Sequence, residues 1–184
     1  GWPRISSRGV SVSRSAAHFD ETQLRHWQRE AVRHAASRQV IDWLGTRLAP
    51  LGDDSRRARF VDAVRGNLLF PADAEALVAM VSPGDIDLGD EVAAALSEAG
   101  PVFFEQAITA LAASGSDFES WTRAVASASG RRGAGLYRPL RAALTGSTQG
   151  PELAPLIGLM GRELIHARLR AAARYVAGII AGGG

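Results

Sequence analysis

The stretch Gly130–Gly146, GRRGAGLYRPLRAALTG, joins a glycine-punctuated basic loop to a helix. Arg131 and Arg132 are adjacent in the loop, and Arg138 and Arg141 lie three residues apart on one side of the helix that follows. Loop amides, arginine forks and a helix N-terminus in one place are suited to holding phosphate. A basic loop that only keeps the protein soluble fits the same residues equally well, so the stretch predicts helical structure but leaves its partner open.

The composition of the whole chain also favours helices. Apolar residues make up 46% of the 184 residues and are mostly Ala and Leu, strong helix formers, whereas the β-branched and aromatic runs typical of strands are scarce. The chain has no cysteine, which excludes disulfides, thiolate zinc sites and a cysteine nucleophile. No apolar run approaches roughly 18 residues, so we expect no membrane span. The sequence predicts an all-α fold with a cytoplasmic location.

The charges are distributed unevenly along the chain. All 21 basic residues are arginine; residues 1–65 carry 12 of them with 7 acids, and residues 121–184 carry 9 with 2 acids. Residues 66–120 carry 10 acids and no arginine. Two basic segments therefore flank an acidic one, and a polyanion would be attracted to the flanks and repelled by the middle. A dipolar protein with no role in nucleic-acid binding would show the same pattern.

Capping and turn signals divide the chain into about nine or ten helices. Asp20 and Ser37 are candidate N-caps, Pro139 is expected in the first turn of its helix, and Gly161 is expected to bend or break the chain. Trp27 and Trp43 fall on apolar helix faces and are predicted to pack in the core rather than to stack on bases, and core packing is also predicted for Trp121. The predicted helices span about residues 21–36, 37–49, 54–65, 72–81, 90–98, 101–111, 117–129, 136–144, 151–160 and 162–177.

The sequence offers no catalytic constellation. His26 and His34 are eight residues apart on a helix, which is not a metal spacing, and no HExxH, GxSxG or P-loop motif is present. The acidic cluster 85–91 lacks the spacing of a calcium loop and is interpreted as a solvated face. A stand-alone enzyme is therefore disfavoured, and we expect no cofactor in this chain.

Beyond its chemistry, the run Gly130–Gly146 resembles a signature of bacterial glutamyl-tRNA synthetases. In that family a Gly-basic-basic-Gly loop leads into Leu-Phe-x-Pro-Leu-Arg-x-Ala-Leu-Thr-Gly. The resemblance is dense over residues 118–170 and thinner but co-linear over 12–117. Tyr137 stands where Phe is common, Ala134 where a second lysine is common, and Gln28 where Asn is usual. The other matching segments are 12–15, 19–20, Leu24, 65–68, 121–122, 150–153, 156–157, 161–163 and 167–169.

This resemblance implies an α-helical anticodon-binding domain, often described as an α-helix cage. Residues 1–52 would be a remnant of the stem-contact region, and residues 53–114 and 115–184 would be two anticodon-binding subdomains. The His-Ile-Gly-His-type and Lys-Met-Ser-Lys-type motifs of the ATP site are absent, so the chain would be non-catalytic alone, while a parent glutamate–tRNA ligase would use ATP and Mg. A synthetase-derived helical module for protein interaction or regulation is the alternative.

The resemblance also implies a partner and contact residues. The partners would be glutamate tRNA, with glutamine tRNA left open, and the upstream catalytic domain of the same enzyme; we expect a monomer. Arg65 and Asn67 lie where the family approaches the third anticodon base. Phosphate contacts are expected first from Arg131 and Arg132 and then from Arg123, Arg138 and Arg141.

Overall fold

The computed structural model describes residues 21–114 and 117–182, and in this part of the chain it is helical without any strand. Short 3-10 turns at Gly45–Leu51 and Arg65–Asn67 follow the second and third helices. The all-α prediction and the expected number of helices are confirmed. In the described residues the helices are α1 (Glu21–His34), α2 (Ser37–Leu44), α3 (Asp54–Val64), α4 (Asp73–Val81), α5 (Asp90–Ala99), α6 (Pro101–Ser114), α7 (Phe118–Ser129), α8 (Ala134–Thr145) and α9 (Leu153–Gly182).

Two aspartates start helices by accepting hydrogen bonds from backbone amides that have no partner inside the helix. The Asp53 carboxylate accepts from the Arg56 amide at 2.8 Å and begins α3; the Asp117 carboxylate accepts from the Ser120 amide at 2.9 Å and begins α7. The bond from Arg56 lowers the pKa of Asp53, and hydrogen bonds from Ser120 lower the pKa of Asp117. Both caps are therefore charged at neutral pH, where they stabilise the positive end of the helix dipole.

The predicted cap at Ser37 is wrong. Ala36 is the N-cap of α2, and its amide donates to Gln39 Oε1 at 3.1 Å. The Ser37 hydroxyl instead donates to Asp62 of α3 at 2.7 Å, because a tertiary partner competes with the local cap. The other predicted cap, Asp20, and the resembling segment 12–20 lie outside the described residues.

One glycine and one proline of the C-terminal helices test the sequence predictions. Gly161 interrupts α9 with φ +74° and ψ 160°, so the predicted bend is confirmed, although the helix continues to Gly182 rather than ending near residue 177. Pro139 lies in the second turn of α8, not the first, because the helix begins at Ala134, two residues earlier than predicted.

The core forms where α6 packs against α7 and α9, and where α5 packs against α8. Trp121 is fully buried there and its indole N–H donates to the Ala107 carbonyl at 3.0 Å, while Trp43 is half-buried against the same core. Trp27 is 63% exposed, so its predicted core position is wrong. The reason is that α1 buries only Val32, on a different side of the helix. The division into 1–52, 53–114 and 115–184 stays a prediction.

Candidate nucleic-acid interface

The basic loop between α7 and α8 is held by two glycines in the left-handed region. Gly130 ends α7 with φ +68°, and its amide donates to the Ala126 carbonyl at 3.0 Å. Gly133 has φ +52°, and its carbonyl accepts the first hydrogen bonds of α8. L-residues with a side chain rarely adopt these angles, so the glycines fix where the loop leaves one helix and enters the next. Arg131 and Arg132 lie between them.

Arg131 points back into the fold. Its guanidinium donates to the carbonyls of Glu98 and Ala99 at 3.3 and 3.0 Å and lies 5.3 Å from the centre of the Phe103 ring. A cation at the end of α5 stabilises the negative end of that helix, and the aromatic face adds a cation–π contact. The geometry gives Arg131 a clear structural role; the predicted phosphate contact stays a prediction.

Arg132 and Arg138 are more available than Arg131. Arg132 is exposed and makes no hydrogen bond or ion pair with any described residue. Arg138 is exposed and lies 3.5 Å from the Glu98 carboxylate, a long and weakly held pair. The structure therefore brings Arg131 and Arg138 together at the end of α5, with Arg132 directly beside them in the loop.

The other two arginines predicted near this loop differ in exposure. Arg123 is exposed and pairs with Glu119, one turn earlier on α7, at 2.6 Å. Arg141 is partly buried and donates to the Pro151 carbonyl at 2.7 Å, which ties the segment after α8 back onto that helix. Burial lowers the pKa of Arg141, although a guanidinium remains charged at neutral pH.

Arg65 and Asn67 lie in the turn after α3. Arg65 is partly buried, whereas Asn67 is exposed. Arg65 donates to the Ala35 carbonyl at 3.2 Å, to the Ser37 hydroxyl at 2.6 Å, and to the Asp62 carboxylate. It therefore fastens the junction of α1 and α2 to α3. Asn67 is exposed and its side-chain amide makes no hydrogen bond with a described residue, so this group is available to bind a ligand. Contact between either residue and an anticodon base stays a prediction.

Sequence reasoning missed the most deeply buried arginine of the described residues. Arg168 of α9 is 5% exposed, and its guanidinium donates to four backbone carbonyls at the ends of α4 and α8. Burial lowers its pKa. A charge inside the apolar stripe formed by Ile165, Leu169 and Ala172 was the only sequence signal for it. We call Arg168 and its acceptors the Arg168 junction: the carbonyls of Ala79 and Met80 in the last turn of α4, of Ser82 directly after it, and of Leu144 in α8.

The described part of the chain contains neither a metal-ligand cluster nor a membrane-spanning helix. Among residues 21–114 and 117–182, no group of three or more His, Asp or Glu side chains could hold a metal ion. Over the same ranges, none of the helices is both long enough and apolar enough to cross a membrane.

The described chain is an all-helical domain with exposed arginines, and comparison with known proteins identifies its family. The family described as "Anticodon binding domain" matches residues 22–173, so the chain belongs to the anticodon-binding domain family. Within that family, the chain is homologous to the C-terminal region of glutamate–tRNA ligases.

Two similar proteins illustrate the relationship. Glutamate–tRNA ligase 2 of Acidithiobacillus ferrooxidans is 45% identical over 163 residues, which cover 89% of this chain and 34% of that protein. Glutamate–tRNA ligase 1 of Methylococcus capsulatus is 40% identical over 158 residues, covering 86% and 34%. The chain thus spans about a third of the length of these relatives. The alternative of a helical module kept for protein interaction or regulation is not favoured by these similarities.

A solved structure supports the fold. The glutamate tRNA ligase from Elizabethkingia meningosepticum, crystallised with its amino acid, superposes with a TM-score of 0.71 over 85% of this chain and 32% of that chain. The two sequences are 15% identical over the match, so the likeness concerns the fold alone.

Proposed function

We propose that this chain binds the anticodon arm of glutamate tRNA, as the tRNA-reading part of a glutamate–tRNA ligase, and catalyses nothing by itself. Membership of the anticodon-binding domain family over residues 22–173 carries the proposal. The similar proteins are named glutamate–tRNA ligases, and for this reason we propose glutamate tRNA as the partner. Whether glutamine tRNA is also bound is left to experiment. ATP and Mg would belong to a catalytic domain of the same polypeptide, which we propose as the second partner of a monomeric, cytoplasmic protein.

The contacts of the predicted residues divide them into two groups, one available to contact tRNA and one that positions the loops. Arg132 has a free guanidinium, and Arg123 and Arg138 are held only by exposed ion pairs, so these three are available for phosphate contact. The amide of Asn67 is free to read a base edge, as side chains do on splayed single-stranded bases. Arg131, Arg141 and Arg65 make internal hydrogen bonds and would position the loops that carry the contacts.

Fluorescence anisotropy of labelled glutamate tRNA, measured from low to physiological salt, tests the proposal. The wild-type chain should bind with an affinity that falls steeply as salt rises, because phosphate contacts release counterions. Arg132→Gln should weaken binding and reduce the slope of log affinity against log salt by about 1. Arg38→Gln is the matched control, because Arg38 is equally charged, 81% exposed and paired with Asp42.

Two results would overturn the proposal. One is the absence of tRNA binding at low salt. The other is binding to glutamate tRNA that is no tighter than binding to an unrelated acidic polymer of the same length.

A further inference from the structure

A row of basic residues runs along α9 after Gly161. Arg162, His166, Arg170 and Arg174 recur every four residues, a spacing that stacks side chains along one side of a helix. The three arginines are exposed and His166 is half-buried. The same helix packs into the core with Ile165, Leu169, Ala172 and Val176, so the row lies on another side. We call these four residues the α9 basic ridge.

The ridge lacks the acidic partners that accompany several exposed arginines on other helices, although Arg29 of α1 and Arg59 of α3 are exposed and likewise make no ion pair with a described residue. Arg25 pairs with Glu21 at 2.6 Å, Arg38 with Asp42 at 3.3 Å, and Arg123 with Glu119 at 2.6 Å, each one turn away. These pairs spread the two signs of charge over the helix surface.

On the ridge the pattern is different. Arg170 and Arg174 make no ion pair or hydrogen bond with any described residue, and Arg162 makes one hydrogen bond at 3.3 Å, to the Ala112 carbonyl. Glu163 is the one acid on α9, and it too is unpaired within the described residues. Asp85, from the turn after α4, borders the same cleft of about 530 Å³ as Arg174 without forming an ion pair. Arg170 and Arg174 lie one turn apart and repel each other, so their spacing is unfavourable in the free protein and is relieved by an external anion.

The shape of the ridge fits a polymer of phosphates. Each step of four residues rises about 6 Å along the helix, so the four positions extend over about 18 Å. Its arginines are planar forks that bind phosphate oxygens through two hydrogen bonds. The exposed apolar residues between Arg162 and Arg174, Ala167 and Ala171, are small, so the ridge itself offers no large apolar side chain for insertion into a lipid surface, although the exposed Ile179 and Ile180 follow it on the same helix.

We infer that the α9 basic ridge binds the ribose–phosphate backbone of the tRNA, as a contact surface additional to the loop between α7 and α8. The inference rests on the proposed function, since it takes tRNA as the polyanion. Phosphate contacts carry no sequence information, so the ridge contributes affinity and orientation and leaves the reading of the anticodon to other residues.

The first test removes two charges from the ridge and two from elsewhere. In the anisotropy measurement, Arg170→Gln/Arg174→Gln should weaken binding of glutamate tRNA and of an unrelated tRNA by the same factor. It should also reduce the slope of log affinity against log salt by about 2. The control Arg25→Gln/Arg38→Gln removes the same charge from α1 and α2 and should reduce the slope less than the ridge variant, because both arginines are already paired with an acid one turn away.

The outcomes separate the inference from the function on which it rests. If the wild-type chain does not bind tRNA, the proposed function fails. If the wild-type binds and the ridge variant keeps its slope, or if the control loses as much as the ridge variant, the ridge inference alone is overturned. Binding to anionic phosphatidylserine vesicles is measured for the same variants. A ridge variant that loses vesicle binding but retains tRNA binding would assign the ridge to a membrane.

The absence of natural cysteine allows a second, direct test. A single cysteine introduced as Arg170→Cys can carry an iron–EDTA probe that cuts nearby RNA backbone by hydroxyl radicals. Cuts should fall within one short stretch of each strand near the anticodon arm, whereas the same probe at Arg38→Cys should give none there. Uniform or absent cutting from position 170, in a variant that still binds tRNA, would contradict contact at the ridge.

Discussion

Arg168 and Arg170 lie two residues apart on α9 and occupy opposite kinds of environment. Arg168 is buried and donates to four backbone carbonyls, and Arg170 is exposed with no partner among the described residues. A step of two residues turns a helix by about 200°, which places neighbouring arginines on different sides. The Arg168 junction and the α9 basic ridge are therefore two regions built from the same residue type, and the surroundings decide what each arginine does.

The difference has an energetic cause. A buried guanidinium loses its hydration and is tolerated only when its donors find acceptors, whereas an exposed one keeps its water. The two terminal nitrogens of Arg168 meet this demand with carbonyls at the C-terminal ends of α4 and α8, where a cation is also favoured by the helix dipoles, whereas its Nε is buried without a partner among the described residues. Arg168 therefore connects α4, α8 and α9 within the fold, whereas the exposed arginines of the α9 basic ridge remain available to bind a partner.

The largest effect is expected at the Arg168 junction. Arg168→Met should lower the free energy of unfolding by about 3–5 kcal/mol, because the four carbonyls lose their donor in a buried place. Urea unfolding followed by circular dichroism measures the change. Arg168→Lys keeps the charge but not the fork and should lose less. A loss below about 1 kcal/mol for the methionine variant would mean that the junction does not hold these helices together.

A smaller effect is expected at Gly146, which ends α8 beside the junction. Gly146 has φ +68°, and an added Cβ would lie 2.1 Å from Ile86 Cγ2, so Gly146→Ala should cost about 2–4 kcal/mol. Gly130 has the same φ with nothing within 4 Å, and Gly130→Ala should cost about 1 kcal/mol. Thermal and urea unfolding of the two variants is compared. The cost of backbone strain at positive φ is present in both, whereas the cost of the contact with Ile86 is present only in Gly146→Ala. Equal losses would show that Ile86 moves aside freely.

The smallest effect on stability is expected on the ridge. Arg170→Gln should change the free energy of unfolding by less than about 0.5 kcal/mol, because an exposed side chain without a partner gives up no contact. The same urea titration used for Arg168→Met measures it. A loss above about 1 kcal/mol would remove the distinction between the two regions.

Two tryptophans, one buried and one exposed, show how far the sequence predicts the core. Core packing is predicted for both Trp121 and Trp27, yet Trp121 is fully buried and Trp27 is exposed. Apolar periodicity identifies the face of a helix that is able to pack, but not whether another helix is there to cover it. α7 packs against α6 and α9, whereas the apolar stripe of α1 around Trp27 has no such cover in the described residues.

The candidate interface was predictable to a similar degree. The glycines at 130 and 133 placed a basic loop between two helices, and the structure confirms that loop. The sequence could not distinguish Arg132, which is free, from Arg131, which caps α5, because the acceptors of Arg131 lie about thirty residues away in the chain. For the same reason it missed Arg168, whose acceptors come from α4 and α8.

The sequence by itself determined the helical class, the bend at Gly161, the loop between α7 and α8, and the resemblance to glutamyl-tRNA synthetases. These follow from local rules: helix propensity, glycine conformation and the order of motifs. The tertiary structure alone decided which arginines are bound internally and which remain available for a partner. A guanidinium finds its acceptors through space, and helix ends that are distant in the chain meet only when the helices have packed.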